Sequence, residues 1–199
     1  MNFTEPDHIQ MLRDTLKKFI KNEMPKSLVS KWDQEDYFPK DVFKKLVDLG
    51  VTSLTVPEEY GGSGVDMVAT IATIEELSSR SIGIASGFIQ CACYAGLNIL
   101  ESGSTEQKNE LLPRVANGEL LFSYGISEPD VGGDVASVST IARLENDEVI
   151  INGSKRWCSG ALIADYIFTL VRSGPADERY RNLSIVLIPP NIKGCLLYT

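Results

Sequence analysis

Histidine is almost missing from this chain: His8 is the only one in 199 residues. That excludes histidine-based catalytic triads and multi-histidine metal centres built from these residues alone. Cysteine is sparse as well. Cys91, Cys93, Cys158 and Cys195 show neither metal-finger nor C-x-x-C spacing, and buried, reduced thiols are expected. Dense runs of lysine or arginine are lacking, and the formal net charge is −8. Nucleic acids and anionic membranes both require a positive footprint, so neither is an expected partner. Any phosphate must then be held mainly by backbone N–H groups. The N-terminus has no basic flank followed by an apolar h-region, which leads to the expectation of no secretory signal and a cytoplasmic compartment. From Ile82 to Leu100 there is no charge at all, close to the roughly 20 residues of a membrane span. Ser86, Gln90 and Asn98 interrupt that run, three glycines dilute it, and no basic cluster flanks it, so a buried central helix is expected.

Helical periodicity dominates the first part. Ile9, Leu12, Leu16, Phe19 and Ile20 form one stripe behind Thr4 as a cap and Pro6 in the first turn, ending at Met24-Pro25. A second helix is expected from Pro39, with Phe43, Leu46 and Leu49 inward and Gly50 closing it in the left-handed region. Met67, Ile71, Ile74 and Leu77 mark a third. Ser104-Thr-Glu-Gln107 fits a capping box for a later helix, which Pro113 should kink or restart. After Gly118 the period becomes strand-like in LLFSYGIS, SVSTIARL, EVIING, DYIFTLV and LSIVLIP. The expectation is α+β: an all-α domain over 1–119 and an antiparallel β-barrel or sandwich over 120–199, incomplete at its end.

Two stretches suggest chemistry. Asp130-Val131-Gly132-Gly133-Asp134 follows Ser127-Glu128-Pro129 at the end of an apolar strand, and adjacent N–H groups in such a turn can form an anion nest. A plain tight turn is the alternative. Trp157 and Ser159, read as one strand, would place an indole wall and a hydroxyl on the same face, suited to a planar heterocycle. The alternative is a core tryptophan beside a turn serine.

Taken together, the segments resemble the acyl-CoA dehydrogenase family of flavoproteins. The likeness runs through Val56-Pro57-Glu58-Glu59-Tyr60-Gly61-Gly62, Glu75-Glu76-Leu77 and Gly103 to Lys108. Most specific are Tyr124 to Val135, similar to the family's Y-x-x-T-E-P-x-x-G-S-D-V flavin motif, and Gly153 to Ser159, similar to its G-x-K-x-W-I-T. The resemblance implies FAD as cofactor, with Tyr124, Ile126 and Ser127 lining the isoalloxazine and Trp157, Cys158 and Ser159 along the flavin. Ser159 would present its hydroxyl to the reactive nitrogen. Gly132 and Gly133 would approach the FAD chain, and Gly133 also the coenzyme A entrance. Serine replaces the family threonine at Ser127 and Ser159, keeping the hydroxyl, while Gly133 replaces a serine and leaves only its backbone N–H. Glu128 and Asp134 read as turn and hydrogen-bonding residues.

The implied reaction is α,β-dehydrogenation of an acyl-CoA thioester, with an electron-transferring flavoprotein as electron acceptor and a homo-oligomeric enzyme in the cytoplasm, or in the mitochondrial matrix of a eukaryote. The family's base is a glutamate from a later helical domain, so no catalytic residue is expected here. Glu75, Glu76, Glu128 and Asp134 are carboxylates that match no catalytic position. A flavin-dependent monooxygenase or oxidase on the same scaffold, and a truncated non-catalytic subunit, stay open.

Overall fold

A computed structural model describes residues 4–198, which divide into two compact units, one ending at Leu121 and the other beginning at Phe122. The first is helical. Helix α1 (Asp7–Glu23) follows Pro6, whose fixed φ suits a helix entrance; no side chain caps it, so Thr4 does not act as one. Helix α2 (Lys26–Gln34), which the periodicity missed, begins directly after Pro25 and buries only Trp32. Helix α3 (Lys40–Val47) buries Val42, Phe43 and Leu46. Gly50 is left-handed at φ 80°, as expected, but Leu49 lies beyond the last helical turn and is exposed.

Helix α4 (Met67–Ser78) keeps Leu77 inside but turns Met67, Val68 and Ile71 outward. Ala69, Ala72, Thr70, Thr73 and Leu77 are buried, whereas Met67 and Ile71 are exposed. Small side chains let α4 come close to α1, where Ala69 and Ala72 pack against Ile9 with Leu12 beside them. Volume at the contact, rather than hydrophobicity, selects the face. Arg13 on α1 adds ion pairs to Glu75 at 2.6 Å, Glu76 at 3.0 Å and Glu5 at 2.7 Å.

The charge-free stretch forms one continuous helix, α5 (Ile82–Ser102), whose middle, Ile89–Leu97, is wound as a π-helix. It is long and apolar enough to span a membrane, yet Ile84, Ala85, Phe88, Cys91, Ala92, Ala95 and Ile99 are buried within the helical unit. Widened π turns disturb the α-helical ladder. Thr55, buried in the 3-10 turn Val51–Thr55, donates its hydroxyl to the carbonyl of Ala92 at 2.8 Å in that stretch. Helix α6 (Thr105–Ala116) starts with the expected capping box between Ser104 and Gln107. It continues through Pro113 instead of restarting, because Leu111, Leu112, Val115 and Ala116 are buried on both sides of the proline.

The second unit carries a small mixed sheet and no closed barrel among the described residues. Its strands are β1 (Phe122–Gly125), β2 (Ile141–Glu145), β3 (Glu148–Asn152), β4 (Tyr166–Arg172) and β5 (Leu183–Ile188). β4 is central: β5 pairs with it antiparallel, while β1 and the start of β2 pair with it parallel. The expected all-antiparallel barrel or sandwich is therefore corrected. Consecutive β-rich segments suggested hairpins, but β1 reaches β4 only across the long intervening crossover, as parallel pairing requires. β4 alternates in burial, with Ile167, Thr169 and Val171 inside. β2 and β3 do form a hairpin, turned by Asn146 and Asp147 at φ 50° and 64°. Residues 194–198 form no strand, and Thr199 lies outside the described residues.

Thr55→Val keeps volume but removes the donor to the Ala92 carbonyl. It should lower unfolding free energy by about 1–2 kcal/mol in denaturant titration, with Thr55→Ser recovering most of it. Equal stability of Val and Ser variants would show that the hydroxyl is not what supports the π stretch.

Candidate functional site

The two stretches singled out in sequence meet in the second unit. Tyr124, at the end of β1, stands in register with Phe168 of β4, their rings 5.3 Å apart. Beyond Gly125 the chain leaves the sheet, and Ile126 and Ser127 are half-buried there. Glu128 and Val131 exchange two backbone hydrogen bonds, 2.9 and 3.2 Å, which close Glu128 to Val131 into a tight loop. Gly132 and Gly133 follow on the surface, and a Cβ added at either would meet nothing within 4 Å. Crowding therefore does not demand glycine at either position. Asp134, next along, accepts from the Ser137 hydroxyl at 2.6 Å and pairs with Arg179 at 2.7 Å.

Trp157, Cys158 and Ser159 do not lie on a strand, so the strand-alternation reading of that corner is corrected. Trp157 is left-handed at φ 63°, a backbone state rare for a bulky aromatic, and the Ser159 N–H turns back onto the Trp157 carbonyl at 2.9 Å. The indole is 73% exposed, with the Arg156 guanidinium 4.3 Å from the ring centre. It is not a core tryptophan. Cys158 is half-buried, and burial pushes its thiol up, with nearby Lys155 pulling it down and Cys195 adding to the rise. It is a protonated thiol at neutral pH.

Hydrogen bonds join the two stretches. The Ser123 hydroxyl donates to the Ser159 carbonyl at 3.0 Å, and the Arg156 N–H donates to the Ser127 carbonyl at 2.8 Å. Lys155 Nζ donates to the Ile126 carbonyl at 3.1 Å and to Glu128 Oε1 at 2.9 Å. Glu128 is the hub. Its Oε2 accepts from the Ser139 N–H and hydroxyl at 2.7 and 2.6 Å, and its Oε1 from the Thr140 N–H and hydroxyl at 2.9 and 2.6 Å. Gly153 crosses close above Thr140, where a Cβ would stand 2.3 Å from the threonine hydroxyl. The first glycine of the second motif is thus set by contact with the carboxylate's own ligand.

Burial by itself would raise the Glu128 carboxyl. Hydrogen bonds from Ser139, Thr140 and Lys155 outweigh it and hold the group well below the usual carboxylate range. The pair with Lys155 is nearly dry, at 2% and 10% side-chain exposure, while Asp134 and Arg179 are over half exposed. Breaking a buried pair costs about 3–5 kcal/mol, against roughly 0–1 kcal/mol for an exposed one, so Glu128 is the energetic centre. Sequence reading assigned Lys155, Ser139, Thr140 and Arg156 no role. The lysine's place in the second motif was visible, but pairing it with a glutamate 27 positions earlier requires the fold.

Glu128→Gln should lower unfolding free energy by about 3 kcal/mol at pH 7. The folded Glu128 ionises below the ordinary 4.5, so its contribution is complete above that value and drains away as pH falls through and below it. The wild-type-to-variant gap in denaturation free energy should accordingly shrink from about pH 5 to pH 3. A gap constant across that window would show that ionisation is not what stabilises the cluster.

Comparison with known proteins identifies two family domains in the chain. Residues 6–119 match the acyl-CoA dehydrogenase N-terminal domain and residues 123–197 the middle domain of that family. A probable acyl-CoA dehydrogenase of Bacillus subtilis is 30% identical over 194 residues, covering 98% of this chain and 51% of the relative. Among solved structures, a glutaryl-CoA dehydrogenase from Mycobacterium smegmatis in complex with FADH2 superposes with a TM-score of 0.83 at 26% identity, over 96% of this chain and 47% of that one. A chain from a study of the electron transferring flavoprotein of Acidaminococcus fermentans reaches a TM-score of 0.88 at 26% identity, over 98% and 50%. The chain spans about half the length of the relatives it matches. With both domain patterns matched across nearly its whole length, the chain belongs to the acyl-CoA dehydrogenase family.

Proposed function

We propose that this chain supplies much of the FAD site for α,β-dehydrogenation of an acyl-CoA thioester, with the catalytic base coming from residues outside these 199. The observation that carries it is the exposed, left-handed Trp157, tied through Arg156 and Ser159 to the segment of Ser123 to Glu128. Backbone strain at a bulky residue persists where surrounding contacts over-determine it and is concentrated at ligand sites.

The residues fit a flat, diphosphate-bearing group. Trp157 offers an indole face in solvent, and Tyr124 and Ile126 of the first motif are half-buried. Gly132 and Gly133 lie on an open turn with no side chain to keep a diphosphate away from their N–H groups. Glu128, which precedes that turn, has its charge offset by Lys155 and its hydroxyl and amide donors, and Asp134, which follows it, is offset by Arg179. Those pairings answer the repulsion that two acidic residues would otherwise offer.

FAD, when bound, supplies the hydride acceptor. Ser159 would orient it by hydrogen bonding at the reactive edge, Ser127 at the pyrimidine edge, and Cys158 would lie along it as a neutral thiol. Proton abstraction needs an unengaged carboxylate near its substrate. Glu128 and Asp134 are both engaged in hydrogen bonds and ion pairs, and Glu75 and Glu76 are tied to Arg13. None is placed to act as base. Gly133 retains a backbone donor for the thioester ligand. An electron transferring flavoprotein as acceptor is supported by the likeness to the Acidaminococcus chain, and acyl-CoA as substrate by the family itself.

Titration of the purified chain with FAD should quench flavin fluorescence and leave a yellow protein after desalting, and Trp157→Ala should weaken that binding. A chain that stays colourless contradicts the reading. Ser159→Ala should keep the flavin but shift its two-electron midpoint more negative by on the order of 30 mV, the equivalent of one lost hydrogen bond to the reduced ring. An unchanged midpoint in spectroelectrochemical titration would remove Ser159 from that role.

A further inference from the structure

Residues 153–158 have no sheet ladder to hold them, yet they must carry Trp157 in a disfavoured backbone state. Such a state is disfavoured for a bulky side chain, and anchors on both sides have to hold it. After the tryptophan there is the Ser159 carbonyl, held by Ser123 at 3.0 Å; before it come Arg156, bonded to Ser127 at 2.8 Å, and Lys155. Lys155 reaches the Ile126 carbonyl and Glu128 from one ammonium, at 3.1 and 2.9 Å. Its stem passes beside Gly125 of β1: a Cβ there would stand 3.6 Å from Lys155 Cγ and 2.9 Å from Ile167 Cγ2. Ile167 is what excludes a side chain at Gly125, and the lysine stem runs past that position at ordinary contact distance.

We infer that Lys155, braced by Glu128, is a positioning residue that sets the spacing between the Ile126–Ser127 backbone and the indole-hydroxyl corner of Trp157 and Ser159. The inference rests on the flavin reading above. One ammonium bonds to the first motif's main chain while its own residue lies two positions before the tryptophan, so the two flavin-facing segments cannot shift independently. A buried charge-assisted bond of this kind is among the stronger tethers available. Ser139 and Thr140 keep the carboxylate oriented, so that the lysine has a fixed point to brace against.

The test is Lys155→Met in the full chain, titrated with FAD at a temperature where circular dichroism shows it folded. The expected result is a dissociation constant raised on the order of tenfold and a blurred visible band of the bound flavin. Lys155→Arg should recover most of the loss, since its guanidinium can donate to both acceptors. Because Lys155→Met leaves the Glu128 charge buried without its counter-ion, the neutral pair Glu128→Gln with Lys155→Met is measured beside it. That pair should show the same loss, for the Ile126 carbonyl still lacks its donor. Wild-type FAD affinity in either methionine chain, whatever its stability, overturns the inference and leaves the flavin reading intact. Failure of both to fold makes Lys155 a structural residue and also overturns it. A wild-type chain that takes up no FAD overturns the reading and the inference together.

Discussion

Glu128 is taken out of water with its charge intact, which is possible only because five donors from Ser139, Thr140 and Lys155 converge on its two oxygens. Those donors come from the entrance to β2 and the coil after β3, and the carboxylate they meet comes from the loop after β1. Satisfying one carboxylate therefore draws together segments that no β ladder joins. A partly satisfied version would be worse than an apolar one, since an unpaired buried charge is the costliest defect available. The loop of Glu128 to Val131, the crossing at Gly153 and the strained Trp157 are all arranged around that requirement.

The sheet contributes the platform. β4 lies between β1 and β5, buries alternate residues, and aligns Phe122 with Tyr166 and Tyr124 with Phe168 as ring pairs. Side chains at the end of β1 are thus set by a rigid neighbour before the chain departs toward Glu128. The site combines precise strand-borne residues with a coil whose conformation is specified by polar contacts. Such a coil is where a flat ligand can be met by an exposed indole without opening the core.

In the helical unit the governing constraint is space. α4 meets α1 through Ala69 and Ala72, so Met67 and Ile71 are left outward while Leu77 stays buried, and α5 widens into π turns that Thr55 helps to satisfy. Periodicity located both helices correctly. Of the residues that marked α4, Leu77 is buried while Met67 and Ile71 are exposed, because close helix approach favours Ala69 and Ala72 at the contact. α2 escaped notice because nine residues with a single buried side chain carry little periodic signal. Pro113 looked like a break, but burial on both sides of it holds the helix together.

Local chemistry was enough to establish the capping box at Ser104, the left-handed turn at Gly50, the strand segments, and the motifs that mark the family, since each depends on residues adjacent in the chain. Tertiary structure alone decided that β1 and β2 run parallel to β4, that Trp157 stands in solvent on a strained turn, and that Lys155 is the counter-ion of Glu128. These outcomes depend on which distant groups compete for the same volume and the same hydrogen bonds. A linear pattern names the groups but does not rank the pairings, because the energy that ranks them, desolvation against satisfaction, exists only once the chain has closed around them.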